Sequence, residues 1–500
     1  MSPVPALEPR ERRALLWLLL VSTAARLALA GLLDLGQDES YALAISRPFQ
    51  WSFFDHPPMA FWLAGLMQAL FGRELSPFLL RLPFVLMFTA SSYVLFLLTR
   101  RFYGARAGIW ATGLATAAPF FFLSAGGWVV PDGPLILFLL LAALFLARAL
   151  EVEKGGGWRD WLLCGLCFGL ALLSKYQAGL AGLGALVVLA MPQHRLWLRR
   201  PQPYVAGLLA AALFLPVIAW NAQNGWVSFT FQLSRGGGGS PFDALRPFGL
   251  LIGELAYLLP WTLVALLVAG IWAMRTPAGR FFVALAAPPI LLFNILPLFG
   301  SSGLPHWSMS GWLFLFPPLG ALLAAGRGWP RILGWLSGAA VTALALTAVL
   351  FVSNFRQFPG DNGINHALVE ATSWTGVRDG LPGTGVLTRP HTFLAAMSWL
   401  DAAHDAEALR PAEPPVVIGD DPRGFAFVSS QEAHLGEDAV FVVAPEAVAS
   451  AKGLIAAHFD GGVEEVGAFL TFKGDMPAYT HTVLLAHHFV HPVYAGYGLR

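Results

Sequence analysis

Gly36–Trp62 reads GQDESYALAISRPFQWSFFDHPPMAFW and follows directly on the first long apolar segment. It holds Asp38, Glu39 and Asp55, with His56-Pro57-Pro58 beside the last of them. Charged residues make up only 12% of the chain and apolar ones 56%, so three acids at the end of an apolar run need a reason. A chain this apolar cannot cover itself with polar surface in water. Apolar runs of about 18 residues or more recur, the length that crosses a hydrocarbon core as helix. The composition therefore reads as a mainly α, polytopic membrane helical bundle. A net charge of +1 gives no nucleic-acid signal.

Working outward from that stretch, candidate spans fall at 14–33, 78–99, 106–124, 133–150, 159–174, 177–191, 203–220, 248–272, 281–299, 308–326 and 331–352, about eleven transmembrane helices. The N-terminal apolar run is too long for a signal peptide and reads as an uncleaved first span. The connections alternate in character. One set is short and basic: Arg10/Arg12/Arg13, Arg100/Arg101/Arg106, Arg148/Lys154/Arg159, His194/Arg195/Arg199/Arg200, Arg275/Arg280 and Arg327/Arg331. The other set (36–77, 125–132, 174–177, 221–247 and 300–307) is mostly longer, aromatic and Gly-rich. Basic loops mark the cytoplasmic side, so the N-terminus is expected inside and the acidic first loop, 34–77, outside. Within that loop Pro58–Phe71 is apolar but too short to span, and reads as an interfacial helix.

After Ser353 the composition turns polar, with Asp-Pro and Gly-rich turns. Short β-rich runs at Pro415–Ile418, Ala439–Val443, Ala468–Phe472 and His481–Ala486 lie between helix-like stretches at Phe393–Ala403 and Pro445–His458. The expected organisation is a transmembrane domain over 1–352 and a C-terminal soluble α/β domain over 353–500, on the outer face. Gly236–Gly239 forms a low-complexity patch in an outer loop. Cys164 and Cys167 sit inside an apolar run and read as plain small helix residues. The three histidines of AHHFVHP (His487, His488, His491) read as a strand tip rather than a metal site.

Asp38 and Glu39 are adjacent carboxylates at a loop or helix start. They point in different directions, so one can take a proton while the other fixes a donor or a metal; a solvated loop or a helix N-terminus would use the same pair. Asp55 could orient His56, or both could reach a substrate, and local turn chemistry ahead of the double proline is the plainer alternative. Arg81 and Lys175 fall at outer span ends, where an unpaired cation faces a cavity, an anion or the headgroups. Asp132 in VVPDGPL and His306 in GLPHWSM lie at outer span ends as well; a helix N-cap is the plainer reading of Asp132. No phosphate-cradling Gly-rich loop, nucleophile elbow or HExxH motif occurs.

The set GQDESYALAIS…FFDHPPMAFW, SPFLLRLP, VVPDGPL, SKYQAGL and LPHWSM resembles the polyprenyl-phosphate-dependent glycosyltransferases of the GT-C superfamily, most of all family 39-type protein mannosyltransferases and aminoarabinose transferases. The resemblance spans about residues 10–350. It implies a sugar joined to undecaprenyl or another polyprenyl phosphate, transferred with inversion to a glycolipid (lipopolysaccharide included) or protein acceptor at the periplasmic face of a bacterial inner membrane. It implies Asp38 as the catalytic carboxylate with Glu39 in support. Substrate binding would fall to Tyr41, Asp55, His56, Arg81, Asp132, Lys175 and His306, with Lys175 on the lipid phosphate. Relatives often carry Lys where His56 stands. Superfamily members differ on metals; Asp38, Asp55 and Asp132 would be the ligands of a divalent cation. A lipid or oligosaccharide transporter is the alternative, although transporters place polar groups at the midplane and often show paired halves.

Overall fold

A computed structural model describes residues 6–151, 157–236, 242–243, 245–300, 303–326, 328–352, 377, 380–381, 385–444, 447–473 and 476–493. Gly237–Gly239, Lys154, Arg327 and the expected domain boundary at 353 lie outside these residues.

The chain opens with α1 (Pro9–Leu32), α2 (Gln37–Ile45), α3 (Met59–Phe71), α4 (Pro77–Tyr103) and α5 (Ala105–Thr116). A π-helical turn at Phe120–Ser124 leads through the single turn α6 (Ala125–Gly127) to α7 (Asp132–Ala149), α8 (Trp158–Ser174) and α9 (Ala178–Ala190). Then come α10 (Pro201–Gln223), α11 (Val227–Gly236), α12 (Arg246–Leu258), α13 (Pro260–Ala273), α14 (Pro277–Ile295), α15 (Met309–Trp312), α16 (Phe316–Ala325) and α17 (Trp329–Thr347). Local sequence sets several boundaries. Ser76 caps α4 by accepting from Leu79 N ahead of Pro77, and Thr276 caps α14 ahead of Pro277. Such a hydroxyl satisfies an orphan N–H of the first turn.

All eleven candidate spans are helical, but they do not all cross as straight rods. Seven helices among the described residues are long and apolar enough to span, or nine if two bent pairs each count as one. The first pair, Ala105–Thr116 with Phe120–Gly127, bends by 87° around Pro119, and the second, α12 with α13, bends by 98°. Leu259 at the second bend has φ 69°; Pro260 after it offers no N–H to continue the helix. α8 and α9 have only 17 and 13 residues, because Lys175 ends the first of them in extended backbone. The chain is a multi-pass membrane protein. Trp17, Leu208 and Trp335 point outward and exposed, which lipid tolerates and water does not.

Arg26 is only 1% exposed and pairs with no acid among the described residues. Its guanidinium donates to the carbonyls of Phe122 and Ser22 and lies 4.5 Å from the centroid of the Phe88 ring.

The C-terminal part holds β1 (Thr392–Ala396), α18 (Trp399–Leu409), β2 (Val416–Val417), β3 (Asp438–Val443), α19 (Val448–Ala456), β4 (Val463–Lys473) and β5 (Met476–Ala486). The strands form one mixed sheet of order β2-β1-β3-β5-β4. The stretch Phe393–Ala403, expected to be helix-like, instead divides into β1 and the start of α18. Residues 392–395 alternate in burial, the strand lies between two parallel partners, and Ser398 then caps α18. This sheet domain docks on α2: Tyr41, Ala42 and Ile45 share an apolar cluster with Ala402, Ala406 and Phe425.

Candidate active site

The acidic stretch becomes a helix start. In α2 the carboxylates of Asp38 and Glu39, one residue apart, swing to different sides, and their fates separate. Glu39 is 2% exposed. It accepts from Gly36 N at 3.0 Å and from Val129 N at 3.1 Å, and it binds Arg81 through both oxygens at 2.8 and 2.5 Å. Arg81 sends its remaining donors to the carbonyls of Ala30, Leu33 and Asp34. A guanidinium has five N–H donors, and here five acceptors meet them. The pair therefore clamps α1, α2, α4 and the α6–α7 loop, and neither member lines the cavity beside it. All five N–H groups of Arg81 are met within the protein, where a substrate was the expected partner. Glu39 holds α2, and with it Asp38, in place.

Asp38 faces the other way, into a cavity of about 240 Å³. Tyr41, Asp55, His56, Asp132, Lys175 and His306 line the same cavity. The chain thus brings seven of its nine candidate residues to one place, from α2, the loop before α3, the start of α7, the end of α8 and the turn before α15. The cavity also takes in Gln232 and Arg235 of α11, Tyr257 of α12, Tyr176, and Arg423 of the C-terminal domain; none of these stood out in the sequence. Arg235 sits in an ordinary-looking loop beside a glycine run. Arg423 lies 385 residues from Asp38 in the chain, and only tertiary docking joins the two.

Lys175 Nζ contacts both oxygens of Asp132 at 3.0 and 2.9 Å. Both side chains are nearly buried, 4% and 10% exposed, so each offsets the desolvation of the other. Tyr41 Oη donates to Asp55 and accepts from Gly424 N at 2.8 Å; Gln232 donates to the Asp55 carbonyl. The imidazole Nδ1 of His56 is buried and has no hydrogen-bond partner among the described residues. Arg235 lies over the Trp307 ring at 5.2 Å.

Burial and charge compete throughout the cavity. The Asp38 carboxylate is open to the cavity yet ringed by protein, and that desolvation raises its pKa above the ordinary value, opposed first by Arg423 and then by Lys175 and Arg235. Burial lifts Asp55 to about 6, against the hydrogen bond from Tyr41 and the charge of Arg423. His56 is held well below its usual value, first by burial and then by the Lys175 charge, so it is a neutral imidazole. Arg423 thus acts on Asp38 and Asp55, Lys175 on both Asp38 and His56, and Arg235 on all three.

The donor set does not fit a preformed metal site. Among the described residues no three His, Cys, Asp or Glu side chains gather to hold an ion. Asp132 commits both oxygens to Lys175, and Asp55 is engaged by Tyr41.

With this geometry in view, the comparisons have a clear meaning. The chain is similar in fold to ArnT from Cupriavidus metallidurans in the apo state, with a TM-score of 0.66 at 16% identity over 94% of this chain and 97% of that one. The same protein bound to undecaprenyl phosphate gives 0.65 at 17% identity, with the same coverage. Two near-complete superpositions at this score share the bundle and the sheet domain alike. The chain has the GT-C fold. Residues 55–220 match the family described as dolichyl-phosphate-mannose-protein mannosyltransferase, a stretch that begins at Asp55 and takes in Asp132 and Lys175. Comparison of the sequence with curated proteins finds no match.

Proposed function

We propose that this chain is a membrane glycosyltransferase that moves a sugar from a polyprenyl-phosphate donor to a lipid or protein acceptor, with inversion, at the periplasmic face of a bacterial inner membrane. The observation that carries the reading is the shared cavity of Asp38, Asp55, His56, Asp132, Lys175 and His306. The GT-C fold and the undecaprenyl phosphate bound by the Cupriavidus relative support it.

The donor phosphate seats at the Lys175 end. Two close contacts to Asp132 leave one of the three ammonium donors for a phosphate oxygen, and the neutral His56 imidazole adds a neighbouring polar atom. Asp38 faces the same cavity. Its raised pKa brings it nearer to the working pH, where a general base is most effective. The acceptor hydroxyl loses its proton to Asp38 as its oxygen bonds to the anomeric carbon, and the bond from that carbon to the phosphate oxygen breaks. The lipid phosphate leaves with the electron pair. Attack from the face opposite the leaving group inverts the centre. Where the acceptor is itself a phosphate, no proton moves and Asp38 positions the attacking oxygen. Holding both substrates in line supplies much of the rate, and the cations stabilise charge on the departing phosphate.

Purified protein reconstituted in vesicles with an undecaprenyl-phosphate-linked sugar inside and an envelope lipid extract as acceptor tests this. Free undecaprenyl phosphate and a sugar-bearing acceptor are expected together. Passage of intact donor across the bilayer without release would favour a transporter and contradict the proposal.

A further inference from the structure

Arg423 enters the cavity from outside the membrane bundle. It opens a 3-10 turn, Arg423–Phe427, and holds φ 45°, a region that costs a side-chain-bearing residue energy and persists only where its surroundings enforce it. Two contacts enforce it here. The guanidinium carbon lies 4.0 Å from the centroid of the Trp399 ring, and the next residue, Gly424, is pinned by its N–H to Tyr41 Oη at 2.8 Å. The side chain is 30% exposed, and its ion pair runs from Nε to Asp421 at 3.4 Å. Its two terminal amino groups have no hydrogen-bond partner among the described residues.

We propose that the C-terminal domain completes the cavity by supplying Arg423 as a ligand for an oxyanion of a phosphate ester. A guanidinium stacked on an aromatic ring keeps its orientation, and its planar fork matches two oxygens of one phosphate. It lines the same cavity as Asp38 and Lys175, so the C-terminal domain adds a cationic donor to those the bundle supplies. The phosphate can belong to the donor lipid or to the acceptor. Only that choice of source rests on the glycosyltransferase reading above.

The test uses the full-length protein in detergent and two probes, undecaprenyl phosphate and inorganic phosphate. Arg423→Gly removes the guanidinium while keeping a residue that accepts φ 45°, and Arg423→Lys keeps the charge without the fork. Arg423→Gly is expected to bind one of the probes about tenfold to a hundredfold more weakly, the loss typical of a charge-assisted hydrogen bond. Arg423→Lys should fall between, and added methylguanidinium should restore binding to Arg423→Gly, which a purely structural role would not allow. Loss on the lipid probe alone assigns Arg423 to the donor; loss on inorganic phosphate alone assigns it to the acceptor. Wild-type affinity of Arg423→Gly for both probes overturns the proposal. Should wild-type protein ignore undecaprenyl phosphate while inorganic phosphate still depends on Arg423, the donor assignment fails and this proposal stands.

Discussion

At the scale of single residues, burial and charge pull against each other in this cavity. Asp38 and Asp55 are desolvated, which raises their pKa values, and the cations that oppose the rise come from separate elements. Asp55 gives the clearest pH signature. Its folded pKa of about 6 exceeds the usual aspartate value of about 3.9, so the native state holds more protons between those limits. Stability contributed at this site therefore falls as pH rises from about 4 to about 6 and is level above. Melting midpoints measured across that range should decline in the wild type and decline less in Asp55→Asn; parallel curves would contradict the assignment. The residues legible in the sequence were those at span ends, where an ion beside an apolar run stands out. Arg423 carried no such mark, because a charged residue in a polar domain is ordinary until docking places it.

At the scale of elements, the first turn of α2 does two jobs with adjacent acids. Their divergence follows from helix geometry and could be read from the sequence; which acid was structural could not. That depended on Arg81 finding the carbonyls at the end of α1, a contact between segments 48 residues apart or more. Glu39→Gln strips one partner from a buried pair whose arginine is 2% exposed. The expected cost is about 3 kcal/mol, seen as a lowered melting midpoint in detergent; an unchanged midpoint would mean the clamp does not hold α2. The bends at Pro119 and Leu259 were less legible. A proline inside an apolar run is tolerated in many membrane helices, and only packing decides whether the rod breaks. The strand at 392–396 was hidden for a similar reason, since its pairing partners lie far along the chain.

At the scale of the whole molecule, bundle and sheet domain meet through Tyr41 and Gly424. A Cβ on Gly424 would collide with Tyr41 Oη, so Gly424→Ala must displace the junction. A loss of about 1–3 kcal/mol is expected, with faster proteolysis of the C-terminal domain and unchanged helix content; wild-type resistance would show that the junction is not rigid. The orientation proposed from the basic loops has its own check. In a background with Cys164 and Cys167 replaced by Ala, a cysteine at Ser430 should react with an impermeant reagent on intact cells. One at Arg199 should react only after permeabilisation, and the reverse pattern would turn the molecule over.

The account stands most directly on Asp38. Purified wild-type protein and Asp38→Asn should be given the same undecaprenyl-phosphate-linked sugar and acceptor, and free undecaprenyl phosphate quantified. The variant should melt and bind donor as the wild type does yet release lipid phosphate at least about a hundredfold more slowly, the lower range for a lost general base. Release at the wild-type rate would contradict the central claim.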